Sequence, residues 1–268
     1  MKKLVSFVLV ALISAFVSGI ITNRSVLLEK GFDRLNFHLN DVISQFWRNA
    51  NTSEIKVTSV SRLVDNTHLT INDAFNGAFL DAKVNLGNSD TAIVIIDPWN
   101  LNEPFSPNAT RTEGIVRNKL IPLVYQLLKK DYLTYVATQK CEKNQRINCG
   151  VHDDFPKSKN VEFVYHQNET TQSFENKLRK KGIKNLIYIG FASNQCVLGS
   201  RSVSMIPMYL SNFKIYFIPD ASSAVEINKT FLTQAIHEAT TLTVSQWVAE
   251  ILDYNEVMSA LRLSNNPT

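Results

Sequence analysis

The apolar positions of this chain fall into short unbroken runs separated by stretches of helical spacing. "TAIVIID" (91–97) is β-branched, ends on a carboxylate, and is bounded by Gly87, Asn88 and Ser89 before it and Pro98 after it; it predicts a buried strand. The segment 111–130, "RTEGIVRNKLIPLVYQLLKK", puts Ile115, Leu120, Val124, Leu127 and Leu128 on one helical face, with Pro122 set to kink or split it. "YLTYVAT" (132–138), "VEFVYH" (161–166), "NLIYIG" (185–190) and "KIYFIPDASSA" (214–224) predict further strands. Between them "QSFENKLRKKG" (172–182) suits a short helix stopped by Gly182. "AEILDYNEVMSALR" (249–262) predicts a last short strand and a helix capped by Asp253, with Glu256 three residues on.

Strands and helices alternate, and the strands are apolar throughout, the pattern of a parallel sheet covered on both faces. The fold class is therefore α/β, a three-layer, doubly wound, mostly parallel sheet of Rossmann-like type. Ligands in such folds bind beyond the carboxyl ends of the strands. Asp97 and His166 occupy those ends, with Cys196 just past Gly190. Residues 23–89 follow a different pattern and predict an N-terminal extension or cap. "RLNFHLNDVISQFWRNA" (34–50) fits an amphipathic helix, and "EIKVTSVSRLV" (54–64) with "FNGAFLDAKVNLG" (75–87) fits an added ribbon. The main domain then spans 90–268.

Residues 1–22, "MKKLVSFVLVALISAFVSGIIT", show two lysines followed by a continuous apolar run, the layout of an export signal or of an uncleaved N-terminal anchor. Both place the remainder of the chain outside the cytoplasm. Membrane contact is then confined to that segment. In an oxidising compartment thiols pair, and the chain has three cysteines. Cys141 and Cys149 share the polar stretch "KCEKNQRINCG", where a local disulfide is easy to close. Cys196 is left as the unpaired thiol, either a reactive group or a buried inert one.

The composition removes one class of partner. A net charge of +4 arises from 28 basic and 24 acidic residues without a dense basic stripe, which argues against nucleic acid. The 44% hydrophobic content is enough for a sizeable core.

"NLIYIGFASNQCVLGSRS" (185–202) delivers Cys196 after a strand, a glycine and a polar turn, where a helix is expected to begin. A thiol is nucleophilic as thiolate, and a helix N-terminus favours that form. Asp97 can accept the thiol proton and pass it to a leaving amine. The backbone N–H groups of Ala192 and Cys196 are candidate donors to an oxyanion. Trp99, Asn100 and Phe174 are candidate substrate-binding residues, each also readable as support or core. Asp220 reads as a structural anchor after the fifth strand.

"AIVIIDPWN", the segment before "QSFENKLRKKGI", and "LIYIGFASNQCVLGSRSVSMIPMYLSNFKIYFIPDAS" resemble the isochorismatase-like cysteine hydrolases over roughly residues 90–262. The resemblance implies a doubly wound sheet with an aspartate after the first strand, a lysine after the third and a cysteine after the fourth. Asp97 and Cys196 fall on the first and last of these, and relatives carry a cis peptide that here falls at Phe191 to Ala192. The lysine position falls on His166. An imidazole there suggests a Cys-His-Asp arrangement; the other reading is a cation from elsewhere, Lys157 or Lys159 being nearest in sequence, or none. Metal-binding relatives that hydrolyse nicotinamide place an Asp-x-His motif after the second strand, which "ATQKCEKNQ" lacks, so no metal and no cofactor are expected. His152 with Asp153 reads as a polar loop pair.

Two functions fit. One is an exported, metal-independent, amidase-like hydrolase that cleaves a C–N bond of a small amide-type molecule through a Cys196 thioester. The other is a catalytically impaired relative acting as a binding or scaffolding protein. Homo-oligomerisation stays open.

Overall fold

In the computed structural model, whose described residues are 53–61, 80–99, 106–143 and 149–263, the apolar runs become neighbouring strands of one eight-stranded sheet. The strands are β1 (Glu54–Ser61), β2 (Leu80–Gly87), β3 (Thr91–Ile96), β4 (Leu133–Thr138), β5 (Val161–Tyr165), β6 (Asn185–Phe191), β7 (Lys214–Ser223) and β8 (Glu250–Leu252). Their order is β2-β1-β8-β7-β6-β3-β4-β5. From β8 to β5 every pairing is parallel. β1 and β2 form an antiparallel ribbon that joins the sheet through β8. The leader and the amphipathic segment at 34–50 lie outside the described residues.

The central strand β3 is buried at all six positions, and its side chains alternate between two cores. Ile93 and Ile95 pack with Val116, Leu120, Leu123, Val124 and Leu127, and with Val257 and Leu261. Those residues come from the π-helical turn Val116–Leu120, which continues α1 (Pro107–Ile115), and from α2 (Ile121–Lys129) and α6 (Tyr254–Leu263). Ala92, Val94 and Ile96 pack on the other face with Phe174, Leu178, Met205, Met208 and Val244. These belong to α3 (Thr171–Lys180), α4 (Met205–Leu210) and α5 (Ala235–Trp247). The three-layer α/β architecture expected from the sequence is what the chain adopts.

Local chemistry accounts for the joints. The helical run continues unbroken from 107 to 129, and the wide π turn just before Pro122 gives the ring room against the preceding carbonyls. Thr170 caps α3 by accepting the Ser173 N–H at 3.1 Å, and Gly182, at φ 73°, ends it. Asp253 caps α6 by accepting the Glu256 N–H at 2.8 Å. The Glu256 carboxylate does not close a capping box; it accepts the N–H and hydroxyl of Thr58 and ties α6 to β1.

Two expectations need correction. No full helix begins at Cys196: the residue sits in a five-residue π-helical turn, Ser193–Val197, and α4 starts only at Met205. Phe174 is no pocket wall. It is fully buried on α3, edge-on to Tyr135 with ring centroids 5.1 Å apart, because its helical position faces the sheet.

Candidate active site

The chain runs β3, β4, β5 toward one edge of the sheet, then returns to place β6, β7 and β8 on the other side of β3. The order reverses between β3 and β6, and the crevice at such a switch point is where doubly wound sheets bind ligands. Asp97 leaves β3 and the Cys196 turn leaves β6 at that point.

The approach of these two strands depends on Gly190. A β-carbon there would lie 2.1 Å from the Ile96 carbonyl oxygen and 2.8 Å from its nitrogen, and the backbone has φ 117°. One residue on, Asp97 has φ 49°, a left-handed conformation that Asp tolerates better than most side chains. Its N–H donates to the Ala137 carbonyl at 2.8 Å, and its own carbonyl accepts the Trp99 N–H at 2.8 Å, closing a tight turn around Pro98. The Asp97 side chain is fully buried.

His166 is the first residue past β5 and reaches over β4 to Asp97. Its N–H donates to the Thr138 carbonyl at 3.2 Å, and its Nε2 lies 3.0 Å from Asp97 Oδ1. A carboxylate only accepts, so Nε2 carries a hydrogen in this contact. Nδ1 is buried without a hydrogen-bond partner among the described residues, and the side chain is 7% exposed. The imidazole is thus joined to Asp97, whereas no hydrogen bond joins it to the thiol of Cys196.

Cys196 is unpaired and half-buried. The Phe191–Ala192 peptide before its turn is cis, where the resemblance put it. The Gln195 and Val197 N–H groups both donate to the Ala192 carbonyl at 3.0 Å, which fixes the turn on either side of the cysteine. A five-residue turn has too few aligned peptides for the dipole effect expected of a helix N-terminus, so that support for a thiolate falls away.

The structure adds a cation that sequence reasoning missed. Arg201 Nη2 lies 3.4 Å from Asp97 Oδ2, opposite the His166 contact. Ser204 anchors the arginine to the cysteine turn: its hydroxyl accepts the Arg201 N–H at 2.9 Å and donates to the Cys196 carbonyl at 2.6 Å. Ser202 ties the same loop to the segment after His166, donating to the Glu169 carbonyl at 2.7 Å and accepting from the Thr171 hydroxyl at 2.8 Å. The exposed Lys157 and Lys159 make no such contact with Asp97.

The other expected residues fall around this centre. Trp99, half-buried, donates from Nε1 to the Thr138 hydroxyl at 3.2 Å, beside the end of β4. Asn100 lies outside the described residues. Cys141 and Cys149 form a disulfide. His152 is buried with both ring nitrogens engaged. Its Nδ1 accepts the Asp154 N–H, so Nε2 donates to Glu113 at 3.0 Å. The Glu113 carboxyl is held below its usual range because hydrogen bonds from His152 and Arg117 outweigh the opposing effect of burial. His152 is therefore structural, held by Glu113 and Asp154. Asp220 lies within the β7 extension near Lys119, at 3.9 Å. Among the described residues no group of three His, Cys, Asp or Glu side chains is arranged to hold a metal.

A separate cavity of about 750 Å³ is lined by Arg111, Lys119, Asp220, His237 and apolar residues of β1, α5 and β8, and by none of Asp97, His166, Cys196 or Arg201. Its link to the cysteine turn is His237, whose Nδ1 lies 2.9 Å from the Ser193 hydroxyl.

No family model and no curated protein matches the chain. Solved structures do. A cysteine hydrolase from Pseudomonas syringae pv. phaseolicola aligns with a TM-score of 0.54 at 10% identity, covering 67% of this chain and 95% of that one. An isochorismatase from Pseudomonas putida aligns at 0.50 with 15% identity, over 63% and 91%. An isochorismatase-like hydrolase from Alkaliphilus metalliredigens aligns at 0.50 with 14% identity, over 64% and 98%. The chain has the isochorismatase-like fold over about two thirds of its length. At these identities the likeness is one of fold, and the chemistry has to be argued from the site.

Proposed function

We propose that the chain is an exported cysteine hydrolase that cleaves the C–N bond of a small amide-type molecule. The observation that carries this reading is the buried Asp97–His166 pair at the switch point, flanked by the Cys196 turn. The Cys196 sulfur attacks the carbonyl carbon, and the thiol proton passes to His166 Nδ1, the ring atom left without a partner. Asp97 holds the Nε2–H and so fixes which nitrogen is basic. The oxyanion is met by the N–H groups of Ala192 and Cys196. Collapse breaks the C–N bond, the amine leaves with the proton from His166, and water then hydrolyses the thioester. In the free protein the thiol is not yet hydrogen-bonded to the imidazole, and substrate binding draws the two together. Trp99 and Asn100, which follow Asp97 in the sequence, are the candidates for substrate contact. The lysine-led apolar run at residues 1–22 and the Cys141–Cys149 disulfide support action outside the cytoplasm.

The test is alkylation of the full chain by iodoacetamide, followed by intact-mass and peptide mapping, with a panel of simple amides in parallel. Cys196 is expected to react near neutral pH. His166→Ala is expected to slow it by about tenfold or more, with His166→Lys restoring part of the rate. Amide turnover is expected to vanish in Cys196→Ser. An unreactive Cys196, or a rate indifferent to His166→Ala across the pH range, refutes the hydrolase and leaves a binding protein that keeps the fold.

A further inference from the structure

We propose that Arg201 sets the charge of the molecule this site accepts, and that the substrate is a small amide carrying a carboxylate close to the scissile bond. The inference rests on Cys196 as the nucleophile. Three charged or polar side chains meet at the centre, and they differ in access. The Asp97 side chain is 0% exposed and that of His166 7%, whereas that of Arg201 is 28% exposed, so Arg201 is the member of this cluster that reaches solvent. A ligand moving toward Cys196 meets the cation before it meets the acid.

The contact with Asp97 leaves that cation largely unspent. An arginine that serves only to neutralise a buried carboxylate does so most effectively with two parallel N–H donors. Here a single long contact joins Nη2 to Oδ2 at 3.4 Å, and Nε has no partner among the described residues. The guanidinium keeps donors for an acceptor outside the pair. The Arg201 backbone is tied to the nucleophile's turn by Ser204, which bonds both the Arg201 N–H and the Cys196 carbonyl. The other acid on this loop cluster, Glu169, is paired with Lys177 at 2.8 Å and does not cancel Arg201.

Two alkylating reagents of nearly equal size and opposite character test the idea without knowledge of the substrate. With iodoacetamide or iodoacetate the Cys196 sulfur displaces iodide: an S–C bond forms, the C–I bond breaks and the thiol proton goes to buffer. Any change in the reactivity of the thiol affects both rates alike, so their ratio reports only the charge that the reagent encounters. The ratio of iodoacetate to iodoacetamide rates is expected to fall roughly three- to tenfold in Arg201→Gln, to recover in Arg201→Lys, and to fall in the parent protein as salt is raised to about 0.5 M. Lys214→Gln removes the same charge from the opposite end of the sheet, where Lys214 opens β7 beside Glu250, and is expected to leave the ratio unchanged. A reactive Cys196 whose ratio ignores both Arg201→Gln and salt overturns the charge assignment alone. A Cys196 that reacts with neither reagent overturns the hydrolase reading and this one with it. The salt series needs no variant, so a misfolded Arg201→Gln protein does not shelter the proposal.

Discussion

Replacing Gly190 by alanine adds one methyl group at the place where β6 presses on β3. The new carbon would sit 2.1 Å from the Ile96 oxygen, 2.8 Å from its nitrogen and 3.0 Å from its carbonyl carbon. All three are backbone atoms of the central strand, which is paired on both sides, so no side-chain rotation relieves the contact. The φ of 117° adds a second cost, about 1–2 kcal/mol for an L residue in a region open mainly to glycine. Overpacking a rigid core adds about 1–3 kcal/mol. A loss of roughly 2–5 kcal/mol is expected, a sizeable share of the 5–15 kcal/mol that typically holds a domain together. In a domain of this size that lowers Tm by about 4–20 °C. Gly182→Ala is the matched control. Gly182 also has positive φ, at 73°, but nothing lies within 4 Å of its virtual β-carbon, so only the conformational cost applies, about 1 kcal/mol. Urea unfolding followed by far-UV circular dichroism compares the two. If Gly190→Ala proves no less stable than Gly182→Ala, the close approach of β6 to Ile96 is wrong, and the placement of Asp97 one residue later falls with it.

His237 predicts an acid sensitivity: burial lowers its pKa against the opposing pull of the Pro219 backbone and of Glu226, Asp220 and Glu238, while Nδ1 faces the Ser193 hydroxyl. The unfolded chain therefore binds a proton that the folded one resists, and stability is lost as pH falls through about 6.5, the reference value for histidine. Urea midpoints at about pH 7.5 and 5.5 are expected to differ less in His237→Gln than in the parent; an equal difference excludes the residue. The carboxyls of Glu113 and Glu226, held low by their hydrogen bonds despite burial, lose their contribution only below about pH 4.3 and do not confuse that window. For location, residues 1–30 fused to a reporter that matures only outside the cytoplasm are expected to give activity, and activity confined to a cytoplasmic reporter rules export out.

Most of the fold was legible because burial leaves a mark on sequence. A strand covered on both faces must be apolar at every position, and β3, β4 and β6 show that run directly. The ends of the strands could be read too, so Asp97 and His166 were both identified, and the structure joins them at 3.0 Å. What failed was local conformation inside polar segments. "ASNQCVLGSRSVS" was expected to start a helix at Cys196, yet the chain makes one π turn and a loop held by Ser202, Ser204 and the Tyr188 hydroxyl, which donates to the Val203 carbonyl. Serines that bond the backbone compete with helix, and the cluster at 200, 202 and 204 was the available signal. Phe174 failed for a different reason: a one-dimensional pattern puts it on the buried face of a helix without saying which residues that face meets.

Arg201 shows why the cation was sought in the wrong place. Counting along the chain from the family pattern puts a lysine at the end of β5, and His166 stands there instead. A carboxylate buried as completely as Asp97 needs compensation from some direction, since an unpaired charge in such a site is costly. The direction is not fixed by sequence position, because the carboxyl ends of β3, β5 and β6 lie on one side of the sheet while distant in the chain, as Asp97–His166 and Asp97–Arg201 show with separations of 69 and 104. Either neighbouring strand end can supply the charge. His166 on one side and the Arg201 guanidinium on the other both reach the carboxylate, and Asp97 holds these two donors in place. In the proposed mechanism the basic atom is the unpartnered nitrogen of His166 and not the aspartate, so removing His166 and removing Asp97 should not be equivalent: the first deletes the proposed base, the second leaves a histidine whose tautomer is no longer fixed.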